Sequence, residues 1–173
     1  MGKTYDAMAE FFEKDDWPIM QIEGQTAMRM NFQGQNGLLS CVARVDEEKE
    51  LILFYSYCPI TAPENKRPIL ADFLTRANYG LYMGNFEMNF DDGQVRYKTS
   101  IGLEDNTEAE QDAKIEEDKS ANDASKEPVQ PSFGLMKRLV YTNVNVMDQY
   151  MPGIMEVIYG GASPTEAIAK VEG

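Results

Sequence analysis

No histidine occurs anywhere in the 173 residues. The commonest general base, nucleophile activator and transition-metal ligand is therefore missing, which excludes Ser-His-Asp and Cys-His catalysis. Cysteine is nearly as scarce. Cys41 and Cys58 are the only two, too few and too far apart for a zinc site. If the strands around them form a hairpin turning near Glu48, Cys41 faces about Tyr55 and Cys58 faces about Leu38, so the pair reads as two reduced, buried thiols. Basic charge is short as well: 16 Lys and Arg stand against 29 Asp and Glu, a net charge of −13. A chain so acidic repels phosphate backbones and anionic bilayers, so the reading is no nucleic acid and no membrane. Long apolar runs are absent. The longest, at 51–55, has five residues, against about 20 needed to span a bilayer. The opening Met1-Gly2-Lys3-Thr4-Tyr5-Asp6 has no apolar stretch behind its lysine, and the expected location is cytoplasmic.

Apolar material is nonetheless ample. Hydrophobic residues make up 43% of the chain, including 8 Phe, 9 Tyr and one Trp, enough for a core at single-domain length. The pattern predicts a helix over 5–14 capped by Thr4, with Tyr5, Met8, Phe11 and Phe12 inward. Asp15-Asp16 and then Trp17-Pro18 end it. A short edge strand follows over 17–22, kept to the edge by Pro18. The segment 27–33 alternates Met28, Met30 and Phe32 against Arg29, Asn31 and Gln33. Asn36-Gly37 marks a hairpin. The segment 38–46 places Leu39, Cys41, Ala43 and Val45 on one face. The segment 51–58 is apolar on both faces and reads as a central strand covered on both sides.

A helix over 69–78 follows, with Ile69, Leu70, Phe73, Leu74 and Ala77 inward and Gly80 as its C-terminal cap. Phe86, Met88 and Phe90 then alternate with polar residues. Asp91-Asp92-Gly93 turns the chain, and Val95, Tyr97, Thr99 and Ile101 alternate again. Eleven Met occur, and Met28, Met30, Met88, Met147, Met151 and Met155 read as filling of the core.

From 104 to 127 the composition changes. Ten acids against three lysines carry −7 of the total charge, with Ile115 the only large apolar residue. Such a segment buries too little to offset its ordering entropy, so 104–131 reads as an acidic, flexible insertion. Beyond it, Leu135, Leu139, Thr142, Asn143, Val146 and Tyr150 follow a helical period. Pro152 should kink or split that helix. Gly160-Gly161 stops the next piece, and Ser163-Pro164-Thr165-Glu166 is a capping box for a last helix.

Asp91-Asp92-Gly93 and Asp15-Asp16 invite a cation reading, and the acidic segment invites cations or a basic partner but reads better as a solvated spacer. The two pairs fit better as a turn and a helix end, and Ca²⁺-loop spacing is absent. No phosphate-binding glycine pattern occurs. No catalytic residue, cofactor site or metal site is assigned.

The stretch PENKRPILADFLTRANYGLYMGNFEMNFDDGQVRYKTSI at 63–101 resembles the signature of the YbjN family of bacterial sensory transduction regulators. The residues that carry the likeness are Arg76 and Asn78 near a helix end, Gly84 and Phe86 opening a strand, Asp92-Gly93, and Tyr97-Lys98. The tail LVYTNVNVMDQYMPGIMEVIYGGASPTEAIAKVE at 139–172 is similar to that of cyanobacterial members. The resemblance implies a fold like that of type III secretion chaperones. That is a single α+β domain over 1–173 with a twisted, mostly antiparallel sheet and helices packed on one side, commonly a homodimer. It also implies a non-catalytic protein-binding module, a chaperone-like adaptor or regulator, with another protein as partner. The alternative is a small-molecule or divalent-cation sensor.

Overall fold

The computed structural model of the protein describes residues 2–103 and 131–173; the acidic reading at 104–127 lies outside them. The described elements are α1 (Lys3–Lys14), β1 (Met20–Gln21), β2 (Ala27–Gln33), β3 (Leu38–Asp46), β4 (Leu51–Thr61), a 3₁₀ turn (Glu64–Lys66), α2 (Arg67–Gly80), β5 (Asn85–Met88), β6 (Gln94–Gly102), α3 (Phe133–Met155), a π turn (Glu156–Gly160) and α4 (Pro164–Glu172). The strands form one sheet in the order β1-β2-β3-β4-β6-β5. Every pairing is antiparallel. This is the α+β architecture expected, with the helices on one side.

The period-2 pattern of the strands decides which residues meet the helices. Met28, Met30, Leu39, Cys41, Ala43, Val45, Ile52, Phe54, Val95 and Tyr97 point inward and are buried. Against them α3 lays Met136, Leu139, Val140, Val144, Met147 and Met151, and α1 adds Met8, Phe11 and Phe12. The core centres on Phe54, whose ring meets Phe12 and Trp17 at 6.1 and 6.3 Å between centroids. Burying one such side chain stabilises the fold by about 1.5–3 kcal/mol.

Several expectations need correction. The segment 51–58 is not covered on both sides: Ile52, Phe54, Ser56 and Cys58 are buried, while Leu51, Leu53, Tyr55 and Tyr57 are half-exposed. Its apolar outer face is a surface, not a second core. The edge strand keeps only two exposed residues of the span 17–22. Phe90 is 54% exposed, because β5 stops at Met88 and the turn begins at Asn89. Ile69 is exposed too, because it lies at the edge of the face formed by Leu70, Phe73, Leu74 and Ala77. Gly80 belongs to α2 rather than capping it, and Leu81 ends the helix in extended conformation. Thr4 does not cap α1, which starts at Lys3 after Gly2. Glu47, from the β3–β4 turn, instead accepts the Tyr5 N–H at 2.9 Å. Met155 is exposed and Met88 half-buried, leaving the other four of the six methionines in the core.

Pro152 neither splits nor ends α3, which runs three residues further and passes into the π turn. A proline lacks the N–H that would bond the carbonyl four residues back. Here that carbonyl belongs to Asp148, and the Asn36 side-chain amide donates to it at 3.0 Å. The Asp148 carboxylate accepts the Gln35 and Asn36 N–H groups at 3.0 and 2.9 Å. The β2–β3 loop thus supplies the donor that the proline removes.

Candidate interaction surface

Asn78, Gly84, Phe86 and Tyr97 come together in space, and each has a structural task. Asn78 faces the free edge of β5. Its Oδ1 accepts the Phe86 N–H at 2.7 Å and its Nδ2 donates to the Phe86 carbonyl at 3.1 Å. One amide side chain thereby stands in for a neighbouring strand and closes an edge that would otherwise offer unpaired backbone groups. Gly84 has φ +82°, and a Cβ there would lie 2.5 Å from the Lys98 carbonyl oxygen. Gly93 has φ +76°, and a Cβ there would lie 2.1 Å from the Ala62 carbonyl oxygen. Only glycine fits either place. The Tyr97 hydroxyl donates to the Met83 carbonyl, and burial pushes its pKa up to about 12. Arg76 pairs only with Asp72 on the exposed side of α2.

The acid pairs resolve as turns. Asp92 accepts the Gln94 N–H at 2.8 Å, and Asn89 accepts that of Asp91 at 3.0 Å. Among the described residues no group of three His, Cys, Asp or Glu is placed to hold a metal ion. Cys41 lies opposite Ser56, one residue from the expected register. Both thiols are unbridged and buried; burial pushes Cys41 up to about 12 and Cys58 upward. Thiolates are thus scarce, and these cysteines are poor nucleophiles.

Asp15 ends α1 as expected, and it also anchors a cluster that no local pattern marks. Its carboxylate accepts from Trp17 Nε1 at 3.1 Å, from the Tyr141 hydroxyl at 2.8 Å and from Lys137 Nζ at 3.1 Å. This cluster fastens the end of α1 to α3.

What remains uncommitted is the outer face of the sheet. Reading across the strands, one row is Arg29, Val42, Tyr55, Lys98 and Asn85; the next is Asn31, Ser40, Tyr57, Arg96 and Glu87. All ten are exposed or half-exposed, with no described helix over them. Glu87 bonds Arg96 at 2.7 Å and also pairs with Lys98. Burial pushes the Glu87 carboxyl up, but hydrogen bonds from Lys98 and Arg96 outweigh that and hold it below the usual range. The Arg96 guanidinium lies over the Tyr55 ring, 4.4 Å from its centroid. The side chains of Arg29 and Arg44 have no partner among the described residues. A different hollow, of about 560 Å³, lies where the β2–β3 loop meets α3, lined by Phe32, Gln33, Gln35, Asn36, Asn145 and Asp148 among others.

Among the described residues, a six-stranded antiparallel sheet with helices on one face and a polar, aromatic second face defines the class: two-layer α+β domains. The chain belongs to the YbjN family, whose model, described as "Putative bacterial sensory transduction regulator", matches residues 4–113. The crystal structure of YbjN, a putative transcription regulator from E. coli, is similar in fold. The two share 9% identity at a TM-score of 0.55, over 84% of this chain and 87% of that one. A chain of the ExsC–ExsE complex is 15% identical, with a TM-score of 0.38 over 67% of this chain and 90% of that one. No curated protein matches the chain. No described helix is long and apolar enough to cross a membrane.

Proposed function

We propose that this protein is a non-catalytic protein-binding module, acting as a chaperone-like adaptor or regulator in the cytoplasm and assembling as a homodimer. The observation that carries the reading is the sheet face that no described helix covers: Tyr55 and Tyr57 half-exposed among cationic side chains, in a chain without histidine. Aromatic and arginine side chains are the groups that concentrate binding energy at protein interfaces. The family description, a regulator, agrees with it. The test is a crosslinking pull-down from the native host, with wild-type protein and a Tyr55→Ala/Tyr57→Ala variant as baits. A partner held reproducibly by the first and lost by the second supports the reading; no reproducible partner counts against it. Light scattering tests the dimer, since a mass of only 19.5 kDa at micromolar concentration sinks it.

The proposal includes one domain over 1–173 in which 104–131 is an insertion the core does not need. Deleting 105–126 then leaves the melting temperature nearly unchanged, and a large drop refutes it. A second reading, a small-molecule sensor, is favoured by the amide-lined hollow beside Asp148. A thermal shift of several degrees from one metabolite class, abolished by filling that hollow, would establish it.

A further inference from the structure

The cationic side chains on the open sheet face make an island of opposite sign in a chain of net charge −13. Arg29, Arg44, Arg96 and Lys98 share that face. Its carboxylates among the described residues are Glu87, paired with Arg96 and Lys98, and Asp46 at the strand end, paired with Lys49. Arg29 and Arg44 remain without a side-chain partner among the described residues.

Register fixes their spacing. Arg29 lies opposite Val42 and Arg44 opposite Ala27, so the two are diagonal neighbours, about 7–8 Å apart at the backbone. An extended chain repeats its same-side residues every 6.4–6.8 Å or so. Two acids at alternate positions of an extended segment therefore match the two arginines, one carboxylate to each guanidinium fork. Val42, Leu53 and Tyr55 lie beside them as an apolar floor.

We infer that this face docks an acidic, extended polypeptide segment, with Arg29 and Arg44 taking carboxylates at alternate positions. The inference rests on the protein-binding reading above and names the chemistry of its partner. A single-stranded nucleic acid fits less well. The Tyr55 ring that a base would stack on is already occupied by Arg96, and the register sets the two arginines at the repeat of an extended polypeptide.

The experiment uses the full chain and fluorescence anisotropy. The probes are a labelled peptide of about twelve residues alternating Glu with Val or Thr, the same peptide with Lys for Glu, and an oligothymidylate of similar length. The expected result is saturable binding of the Glu peptide alone, weakening with salt. The Arg29→Ala/Arg44→Ala variant, melting as the wild type does, binds it about tenfold or more weakly. Equal binding by the variant, equal binding of the Lys peptide, or binding of the oligonucleotide alone each overturns the inference. So does the absence of any Glu-peptide binding, and in that case a pull-down partner lost on changing Tyr55 and Tyr57 still upholds the broader function.

Discussion

Replacing Asp15 tests how the two ends of the described chain are joined. Its carboxylate sits at the C-terminal end of α1, where the helix dipole disfavours negative charge by about 0.3–1 kcal/mol. Three donors offset this. Lys137 is half-exposed, and such a pair adds little. Trp17 Nε1 and the Tyr141 hydroxyl reach the carboxylate from a covered cluster, and bonds to a charged acceptor are worth about 1.5–3 kcal/mol each. Allowing for the dipole, Asp15→Ala should cost about 2–6 kcal/mol. For a chain of this length that is about 4–20 °C in melting temperature. Asp15→Asn keeps one acceptor oxygen and should lose roughly half as much.

Trp17, the one tryptophan, reports directly. Its ring lies 5.6 Å from Phe32, 5.7 Å from Phe12 and 6.0 Å from Tyr141, so urea unfolding followed by its emission measures this cluster. The pH dependence is a second check. Burial pushes the Asp15 carboxyl up, but hydrogen bonds from Tyr141, Lys137 and Trp17 outweigh it and lower the folded pKa. The unfolded value is about 3.9. A group depressed on folding stabilises fully above its unfolded pKa and loses that contribution as pH falls through the folded one. The gap between wild type and Asp15→Asn should be constant from about pH 5 to 8 and narrow below about pH 4. A variant melting with the wild type at neutral pH, or a gap undiminished in acid, refutes the reasoning.

Other perturbations probe other levels. Asn143 is fully buried, and its Nδ2 lies 2.9 Å from the Phe54 carbonyl, 3.1 Å from that of Tyr97 and 3.1 Å from Thr99 Oγ1. Asn143→Ala should cost about 2–4 kcal/mol in urea unfolding, and Asn143→Asp more, because it buries a charge. Asn78→Ala should speed hydrogen exchange at the Phe86 amide while leaving β3 protected; equal protection at Phe86 would deny the edge-closing role. Cys41 and Cys58 should resist a thiol reagent in the native protein and both react once it is unfolded, so rapid native labelling would contradict their burial.

The sequence disclosed most where residues answer to their own neighbours. The bounds of β2 and β3, the inward set of α1 and the Ser163 capping box follow from alternation, period and capping chemistry, and the structure has them. What stayed hidden depends on residues far apart. Glu47 taking the place of Thr4, and Tyr141 meeting Asp15 across 126 positions, have no local signal. The outer face of β4 misled for a different reason. Leu53, Tyr55 and Tyr57 have the composition of a buried strand, and composition cannot separate a second core from an exposed aromatic surface. The pattern of Arg29, Arg44, Arg96 and Lys98 was visible strand by strand, but only the register places them side by side.

The proline of α3 carries a consequence for how the chain is made. The amide that satisfies the Asp148 carbonyl lies 112 residues earlier. At about 5–20 residues per second, the ribosome delivers the loop around Asn36 roughly 5–20 seconds before the helix turn it must meet. Until then each lacks its counterpart, and the β2–β3 hairpin has to persist with its loop donors in water. The domain therefore closes on itself late in synthesis, when the first hairpin and the last long helix complete one another.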